Sequence, residues 1–280
     1  MNRTLRRYFP IFLLPTLIAF LIGFVIPFFL GLYLSFCKFT TITDASFVGF
    51  RNYRLMFSDS TFLHSLWYTA LFTVVAVVSI NVIAFGIALL LTKQIKGTNI
   101  FRTVFFMPNL IGGIVLGYIW QLIFNGILLY FDRTLTYSAT YGFFGLLILL
   151  NWQQIGYMMI IYIAGIQNVS PDVIEAAKID GATNSQILRK VTIPMVMPSI
   201  TISVFLTLTN SFKLFDQNLA LTNGEPSGKS EMLSLNIFNT FYGRAGYEGV
   251  GQAKAVVFFI IVVVIALLQL YLTRRKEVQA

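Results

Sequence analysis

Long apolar runs alternate with shorter polar segments along this chain, and each run is long enough to cross a lipid bilayer. An α-helix needs about 20 predominantly apolar residues to span the hydrocarbon core. Backbone polar groups find no partners in lipid, so a run of this length favours a helix. We predict an all-α transmembrane fold, a six-helix bundle in a single domain over residues 1–280, with spans at about 11–36, 65–91, 104–124, 141–166, 195–215 and 253–272.

The composition agrees with a membrane protein. Of the 280 residues, 57% are hydrophobic and 11% are charged, whereas about a quarter of a soluble domain is charged. The run at 11–36 exceeds the apolar core of a signal peptide and lacks a small-residue cleavage motif, so we expect a retained helix. The polar segments at 38–64 and 213–251 are predicted to be loops. The single cysteine, Cys37, excludes an intrachain disulfide and a multi-cysteine metal site.

One polar segment, residues 170–194, carries the signals of a helix that begins just after an apolar run. Ser170 suits the N-cap position, and Pro171 suits the first helical position, where a missing N–H costs nothing. Asp172 and Glu175 place negative charge in the first turn, which the helix dipole favours. We therefore predict that a helix starts at Pro171.

The same segment also carries signals of a turn and a second helix. Gly181 can adopt the left-handed conformation that ends a helix. A second short helix is predicted to start near Thr183 or Asn184 and to end at Lys190, before Pro194. The segment is thus predicted to form a helix, a tight turn and a helix between two membrane spans.

The sequence E-A-A-K-I-D-G-A, followed by L-R-K-V-T-I-P, resembles the cytoplasmic EAA loop of binding-protein-dependent ABC importer permeases. In that family the loop docks into a cleft of a separate ATPase subunit. An amphipathic connector that lies on the membrane surface is the alternative interpretation. The resemblance implies a coupling role for Glu175, Ala176, Ala177, Asp180, Gly181, Ala182, Leu188, Arg189 and Pro194.

The distribution of basic residues predicts the orientation in the membrane. The net charge of +9 is interpreted as basic membrane flanks, because no base-stacking module or basic stripe is present. Cytoplasmic segments carry an excess of Lys and Arg, and here twelve lie on the side of the termini against six on the other. Both termini and the 170–194 loop are therefore predicted to be cytoplasmic. The twelve are Arg3, Arg6, Arg7, Lys93, Lys96, Arg102, Lys178, Arg189, Lys190, Arg274, Arg275 and Lys276.

A second resemblance lies at residues 215–226, F-D-Q-N-L-A-L-T-N-G-E-P. Sugar permeases of the ABC class carry a similar F-D-x-x-x-x-L-T-x-G-G-P stretch, typical of the F-type half of the maltose transporter. The residues themselves predict a turn-rich external loop suited to contact with a solute-binding protein. Residues 224–230 also approach the pattern of a phosphate-binding loop. We reject that interpretation, because the spacing is one residue short and a membrane helix rather than a strand precedes it.

No enzyme site is predicted. The only histidine, His64, has no nearby carboxylate or cysteine in the sequence, and a metal site or catalytic triad needs such partners. The predicted spans contain no acidic residue, whereas proton- or sodium-coupled carriers commonly use buried ionisable groups. This pattern favours a neutral cargo and an external energy source.

Amides and aromatic residues inside the fourth and fifth predicted spans are candidates for a substrate path, because polar groups within the membrane are functional candidates by default. Amides form hydrogen bonds with sugar hydroxyls, and aromatic rings stack on sugar C–H faces. Packing between helices is the alternative role. The candidates are Asn151, Trp152, Gln153, Gln154, Tyr157, Asn210, Ser211 and Leu214.

Together these features predict a permease subunit of a carbohydrate ABC importer in the bacterial plasma membrane, with an oligosaccharide as cargo. The resemblance implies a fold like the permease cores of the maltose and methionine importers. It also implies four kinds of partner: a homologous second permease, two ATPase subunits that hold ATP and magnesium, a solute-binding protein and the carbohydrate. We expect no cofactor or metal on this chain. An importer of glycerol phosphate or another small polar solute, and a stand-alone channel or scaffold, are the alternatives.

Overall fold

The computed structural model describes residues 3–93 and 96–274. Arg275 and Lys276, which contributed to the charge count, lie outside the described residues. The chain divides into two compact units. One unit consists of Met1–Ser60 and Ile237–Ile260, and the other of Thr61–Asn236 and Ile261–Ala280. The first unit combines two segments that lie far apart in the sequence, and the single permease domain over 1–280 stays a prediction.

The described chain is built mainly of α-helices, with a small antiparallel hairpin of two strands, β1 Cys37–Lys38 and β2 Ser46–Phe47. Two π-helical segments, Leu21–Val25 and Leu188–Thr192, join consecutive helices. The helices are α1 Arg3–Phe20, α2 Ile26–Leu34, α3 Arg51–Ser58, α4 Ser60–Leu91, α5 Thr98–Phe106, α6 Gly113–Leu128, α7 Ala139–Gln167, α8 Pro171–Ile179, α9 Asn184–Ile187, α10 Ile193–Met195, α11 Met197–Phe212, α12 Asp216–Leu221, α13 Leu233–Gly243 and α14 Glu248–Arg274.

Five helical segments among the described residues are long and apolar enough to cross a membrane, and a bent pair brings the number to six. The bent pair consists of Asn184–Met195 and Met197–Phe212, whose axes differ by 69°. The other five segments are Leu13–Leu34, Ser60–Leu91, Gly113–Phe131, Ala139–Gln167 and Glu248–Thr273.

The third helix of this set differs from the predicted span at 104–124. Helix α5 ends at Phe106, and a 3₁₀ turn at Met107–Leu110 separates it from α6. Pro108 lies at the start of that turn, and Gly112 is extended, with φ of −60° and ψ of 142°. Because proline has no N–H to continue a helical ladder, the apolar run is divided and the membrane-length helix begins only at Gly113.

The predicted loops at 38–64 and 213–251 contain regular structure. The first contains the hairpin, α3 and the start of α4, and the second contains α12, α13 and the start of α14. Helices α3, α12 and α13 have 8, 6 and 11 residues, so the search for apolar runs long enough to cross a membrane missed them. The fifth predicted span, 195–215, corresponds to α11, which a bend at Val196 separates from the helix before it.

In the first unit, polar contacts hold α14 against the segment before α4. The Lys254 side chain is fully buried, and its Nζ lies 2.8 Å from Asp59 Oδ2 and 2.8 Å from Thr240 Oγ1. Asn52 Nδ2 donates to the carbonyls of Ser35 and Cys37, at 2.9 and 2.8 Å. A buried lysine needs such partners, because an isolated ammonium group is costly in an apolar interior.

In the second unit, the core forms around α7. Many α7 side chains are buried, including Leu149, Met159 and Tyr162. Helix α4 contributes a stripe of buried side chains at a spacing of four residues, which places them on one helical face. The stripe consists of Phe72, Ala76, Ile80, Ala84 and Ala88. The small residues in it allow close helix packing, as is typical of membrane bundles.

Candidate coupling loop and substrate cleft

The loop that follows α7 begins as the sequence predicted. Ser170 caps α8, its Oγ accepting from the backbone N–H of Asp172 at 3.3 Å, and Pro171 is the first helical residue. Glu175 lies beyond the first turn, in which Asp172 is the acidic residue. The predicted N-terminus of the first loop helix is therefore confirmed, and only Asp172 has the predicted first-turn placement.

Gly181 ends α8 in the predicted left-handed conformation, with φ of +80°. The N–H of Gly181 donates to Lys178 O, and that of Ala182 donates to Ala177 O, each at 3.0 Å. These two bonds form a Schellman motif, which satisfies the last carbonyls of the helix. The turn is thus fixed by local hydrogen bonds.

The second loop helix starts as predicted but ends later than predicted. Thr183 caps it, and the Gln186 side chain accepts from the Thr183 N–H at 2.7 Å to complete a capping box. The helix does not end at Lys190. It continues through the π-helical segment Leu188–Thr192 to Met195. Pro194 is compatible with this continuation because it follows the π-helical segment, at the start of α10.

Most of the predicted coupling residues lie on the surface of the loop. Glu175, Ala176, Asp180, Gly181 and Arg189 are exposed. Ala177, Ala182, Leu188 and Pro194 are half-buried. Ile187 is buried beneath the loop and anchors it. The sequence reasoning missed Ile179, which is 85% exposed and lies one helical turn after Glu175 and Ala176.

A cleft of about 480 Å³ lies between α7 and the segment that joins α11 to α12. Four of the predicted substrate-path residues line it, namely Gln153, Gln154, Asn210 and Leu214. The remaining lining residues are Asn109, Leu150, Lys213, Phe215, Asp216 and Gln217.

Hydrogen bonds connect the amides of the cleft. Gln217 Nε2 donates to Gln153 Oε1 at 2.7 Å, and Gln153 Nε2 donates to Ile111 O at 3.3 Å. Asn210 Nδ2 donates to Gln154 Oε1 at 3.4 Å. Each amide retains unused hydrogen-bonding capacity toward the cleft. Gln217 was missed because its segment was predicted to be an external loop.

The other four predicted path residues do not line this cleft. Asn151 Nδ2 donates to Ser79 Oγ at 3.0 Å and to Leu147 O at 2.8 Å, so Asn151 packs helix against helix. The Trp152 ring meets Trp120 edge-on at 5.5 Å. Tyr157 lies beside Phe106, with ring centroids 6.4 Å apart, and Ser211 is buried within α11.

Helix α12, which carries Gln217, is held in place by α6. Gly113 and Gly117 of α6 face α12, and an ideal Cβ at Gly117 would lie 2.6 Å from the Ala220 Cβ. Gln121 Nε2 donates to Leu221 O at 3.0 Å. The two glycines therefore allow α12 to approach α6 closely.

The turn after α12 is organised by Asn218. Its Nδ2 donates to Ser230 O at 2.9 Å, and its Oδ1 accepts from the N–H of Met232 at 2.8 Å. Within residues 224–230, the N–H of Ser230 donates to Gly224 O at 3.2 Å. The segment is preceded by a helix, which agrees with the rejection of a phosphate-binding loop.

Two lysines bear on the alternative of a phosphate-bearing cargo. Lys213 is exposed and lines the cleft, together with Asp216. Lys254 is fully buried and paired with Asp59. Lys254 therefore forms an internal ion pair and does not line the cleft.

The chain matches known transport proteins over nearly its whole length. It is 44% identical to the "probable starch degradation products transport system permease protein AmyD" of Thermoanaerobacterium thermosulfurigenes, over 96% of this chain and 94% of that protein. It is 30% identical to the "multiple sugar-binding transport system permease protein MsmF" of Streptococcus mutans, over 95% of each chain. Among solved structures, a bacterial ABC transporter involved in alginate import matches with a TM-score of 0.83 and 20% identity, covering 98% of each chain.

These matches confirm the predicted ABC importer permease fold in a multi-pass membrane protein, and a transport subunit rather than an enzyme. The family described as "binding-protein-dependent transport system inner membrane component" matches residues 87–278, which contain both the loop and the cleft. The chain belongs to this family of binding-protein-dependent transport system inner membrane components.

Proposed function

We propose that this chain is one of two permease subunits of an ATP-driven importer for a neutral oligosaccharide. The observation that carries the proposal is the amide-lined cleft, in which Gln153, Gln154, Asn210 and Gln217 converge. Amides donate and accept at once, so they match sugar hydroxyls, which do the same. The names of the relatives, a permease for starch degradation products and a multiple-sugar permease, point to the same class of cargo.

Energy enters through the loop at 170–194. Its exposed surface carries Glu175 and Ala176 beside the apolar side chain of Ile179, which is 85% exposed. An isolated isoleucine on an ordered turn suits insertion into a pocket of a partner protein. The partner is an ATPase subunit that holds ATP and magnesium, and its closure displaces the loop.

The assembly contains a homologous second permease, two ATPase subunits and a solute-binding protein on the outer side of the bacterial plasma membrane. Both termini and the loop lie in the cytoplasm, as the excess of basic residues on that side favours. The turn after α12 then lies outside, where it contacts the solute-binding protein.

Uptake by the reconstituted complex, measured over a panel of neutral and acidic oligosaccharides, tests the cargo. The double variant Gln153→Ala with Asn210→Ala is expected to reduce uptake about 30-fold, since two lost hydrogen bonds at about 1 kcal/mol each amount to about 2 kcal/mol. Asn151→Ala is the matched control, because its amide lies on the same helix but outside the cleft. Unchanged uptake and sugar preference in the double variant would contradict the proposal.

The coupling loop is tested separately. Glu175→Lys and Gly181→Trp are expected to abolish uptake while the protein stays in the membrane. Gly246→Trp is a matched control. Gly246 and Gly181 are both exposed, have φ of +82° and +80° respectively, and have no atom within 4 Å of the Cβ position. Normal uptake by both loop variants would argue against energy transfer through this loop.

Glycerol phosphate or another small polar solute is the second candidate cargo, and Lys213 at the cleft favours a phosphate. Asp216 also lines the cleft and opposes an anion there. We expect Lys213→Gln to leave sugar uptake intact. Loss of uptake in this variant, together with transport of glycerol phosphate by the unmodified complex, would favour the second candidate.

A further inference from the structure

A polar cluster of two buried hydroxyl groups and the half-buried Asn81 joins three helices of the second unit, outside both the cleft and the loop. Tyr162 OH on α7 donates to Asn81 Oδ1 on α4 at 2.6 Å. Asn81 Nδ2 donates to Thr207 Oγ1 on α11 at 2.9 Å. We call these three residues the asparagine knot.

The hydrogen bonds of the asparagine knot have a fixed direction. The Thr207 hydroxyl donates to Ser203 O at 2.7 Å, so its oxygen serves as the acceptor for Asn81. The second proton of the Asn81 amide is donated to Val77 O at 2.7 Å. Tyr162 and Thr207 are buried, with 1% and 0% exposure. A nonpolar side chain at 81 would therefore leave two buried hydroxyl groups without their bridge.

The knot lies midway along α7 between the loop and the cleft. Tyr162 is eight residues from Gln154, which lines the cleft, and eight residues from Ser170, which starts the loop. At about 1.5 Å per residue, Gln154 lies about 12 Å from Tyr162 along the helix, and the end of α7 at Gln167 lies about 8 Å from it in the other direction.

Direct contacts between α7 and α11 lie on both sides of the knot. Toward the loop, an ideal Cβ at Gly165 would lie 2.8 Å from Ser199 Cβ, so the two backbones approach closely there. At the cleft, Asn210 meets Gln154 at 3.4 Å. At the asparagine knot, a third helix, α4, is hydrogen-bonded to both α7 and α11 through Asn81.

We propose that Asn81 is a positioning residue that makes α7 and α11 move as one body when the loop is displaced. The inference rests on the proposed function in that an ATPase displaces the loop. Helices α7 and α11 flank this loop, so a displacement that reached only one of them would shear the cleft between Gln154 and Asn210. Hydrogen bonds within an apolar bundle hold such helices in register.

The distance between α7 and α11 tests the inference without any sugar. Ile160 on α7 and Ile202 on α11 are 38% and 51% exposed, and each is replaced by cysteine in a Cys37→Ser background and spin-labelled. In the assembled complex, we expect the same label distance in nucleotide-free and ATP-bound states. With Asn81→Leu, we expect the distance to change between the two states. A nucleotide-dependent distance with Asn81 present, or a constant one in Asn81→Leu, overturns the inference.

Transport gives the second readout. We expect sugar uptake per ATP hydrolysed to fall about fivefold in Asn81→Leu, the lower range of coupling between distant sites. Thr207→Val removes the hydroxyl that accepts from Asn81 and donates to Ser203 O, and it leaves the Asn81–Tyr162 hydrogen bond in place. This variant should show the same direction of change, and it replaces Asn81→Leu if that variant does not assemble. Thr207→Ser keeps the hydroxyl and should retain normal coupling.

Ser79→Ala is the matched control, because it removes another hydrogen bond between α4 and α7 that does not reach α11. Uptake per ATP is expected to be unchanged in this variant. Equal coupling in Asn81→Leu, Thr207→Val and the unmodified complex overturns the inference. If the unmodified complex moves no sugar, the proposed function fails, and the label distances still decide the role of Asn81.

Discussion

Gly156 marks the closest approach of α7 to the backbone of α5. An ideal Cβ at this position would overlap the carbonyl oxygen of Phe105 and lie 2.7 Å from the nitrogen of Phe106. Both are backbone atoms, so neither can rotate aside as the end of a side chain would. In Gly156→Ala, α5 and α7 must separate by at least 0.7 Å to move the second contact from 2.7 Å to an ordinary 3.4 Å.

The energetic cost follows from this geometry. Overpacking of a close-packed interior typically costs about 1–3 kcal/mol. Because the new Cβ in Gly156→Ala overlaps a backbone carbonyl, we take its cost as about 3 kcal/mol, the upper end of this range. Alanine recovers about 1 kcal/mol, because glycine is the poorer helix former. We therefore expect a net loss of about 2 kcal/mol. Gln153 and Gln154 lie within one helical turn of Gly156, so sugar uptake should fall as well.

Thermal unfolding of the purified complex, followed together with uptake, measures this prediction. The control is Gly126→Ala in α6, where no atom lies within 4 Å of the Cβ position. This control should be neutral or stabilising by up to about 1 kcal/mol. If Gly156→Ala unfolds at the same temperature as Gly126→Ala, the close helix contact does not limit the packing of α7, and the reasoning is refuted.

Three further predictions concern other parts of the chain. Lys254→Met should lower the free energy of unfolding by about 2 kcal/mol, because it removes the short hydrogen bond of 2.8 Å between the Lys254 ammonium and Asp59, whereas Arg244 lies 3.9 Å from the same carboxylate. The double variant with Asp59→Asn should recover part of the loss, and equal melting of the single and double variants would contradict the pairing. Gly181→Ala should lower the stability of the loop conformation by about 1 kcal/mol, because an L-residue disfavours φ of +80°. The rate of proteolysis within the loop should therefore rise, and an unchanged rate would contradict this prediction. The Thr40 N–H donates to Asp44 and lowers the pKa of this carboxyl, so the stabilisation of the turn is present above the unfolded pKa and lost as the pH falls through the lower folded pKa. The protection of the Thr40 amide from hydrogen exchange, measured as a function of pH, reports this loss. Asp44→Asn should abolish the pH dependence of the protection, and the same pH profile in both proteins would contradict the prediction.

The structure of the loop at 170–194 could largely be predicted, because local chemistry fixes it. The cap at Ser170 and the left-handed turn at Gly181 depend on residues within the segment itself. The end of the second loop helix was predicted wrongly at Lys190. The π-helical segment Leu188–Thr192 continues the helix toward Met195 there, and the sequence has no simple signal for such a segment.

The cleft was predicted in part, because polar residues in an apolar run identify candidates but not their neighbours. Gln153 and Asn151 lie on the same helix and are both amides, yet one lines the cleft and the other bonds to Ser79. Which face of α7 meets which helix is decided by tertiary packing. Gln217 and Asn81 were not predicted for the same reason, since their partners lie 64 and 81 residues away in the sequence.

The two ends of the loop are connected differently to the helices that flank it. This difference gives the asparagine knot a mechanical role between α7 and α11. Helix α7 ends at Gln167, and a short non-helical joint leads to α8. On the other side, the helix Asn184–Met195 meets α11 directly at a 69° bend. Because Val196 alone separates the two helices there, we expect a displaced loop to turn α11 with it. The non-helical joint on the other side transmits less of this displacement to α7. In the role proposed for Asn81, its hydrogen bonds to Tyr162 and Thr207 link α7 to α11 and so reduce this difference in motion before it reaches the cleft.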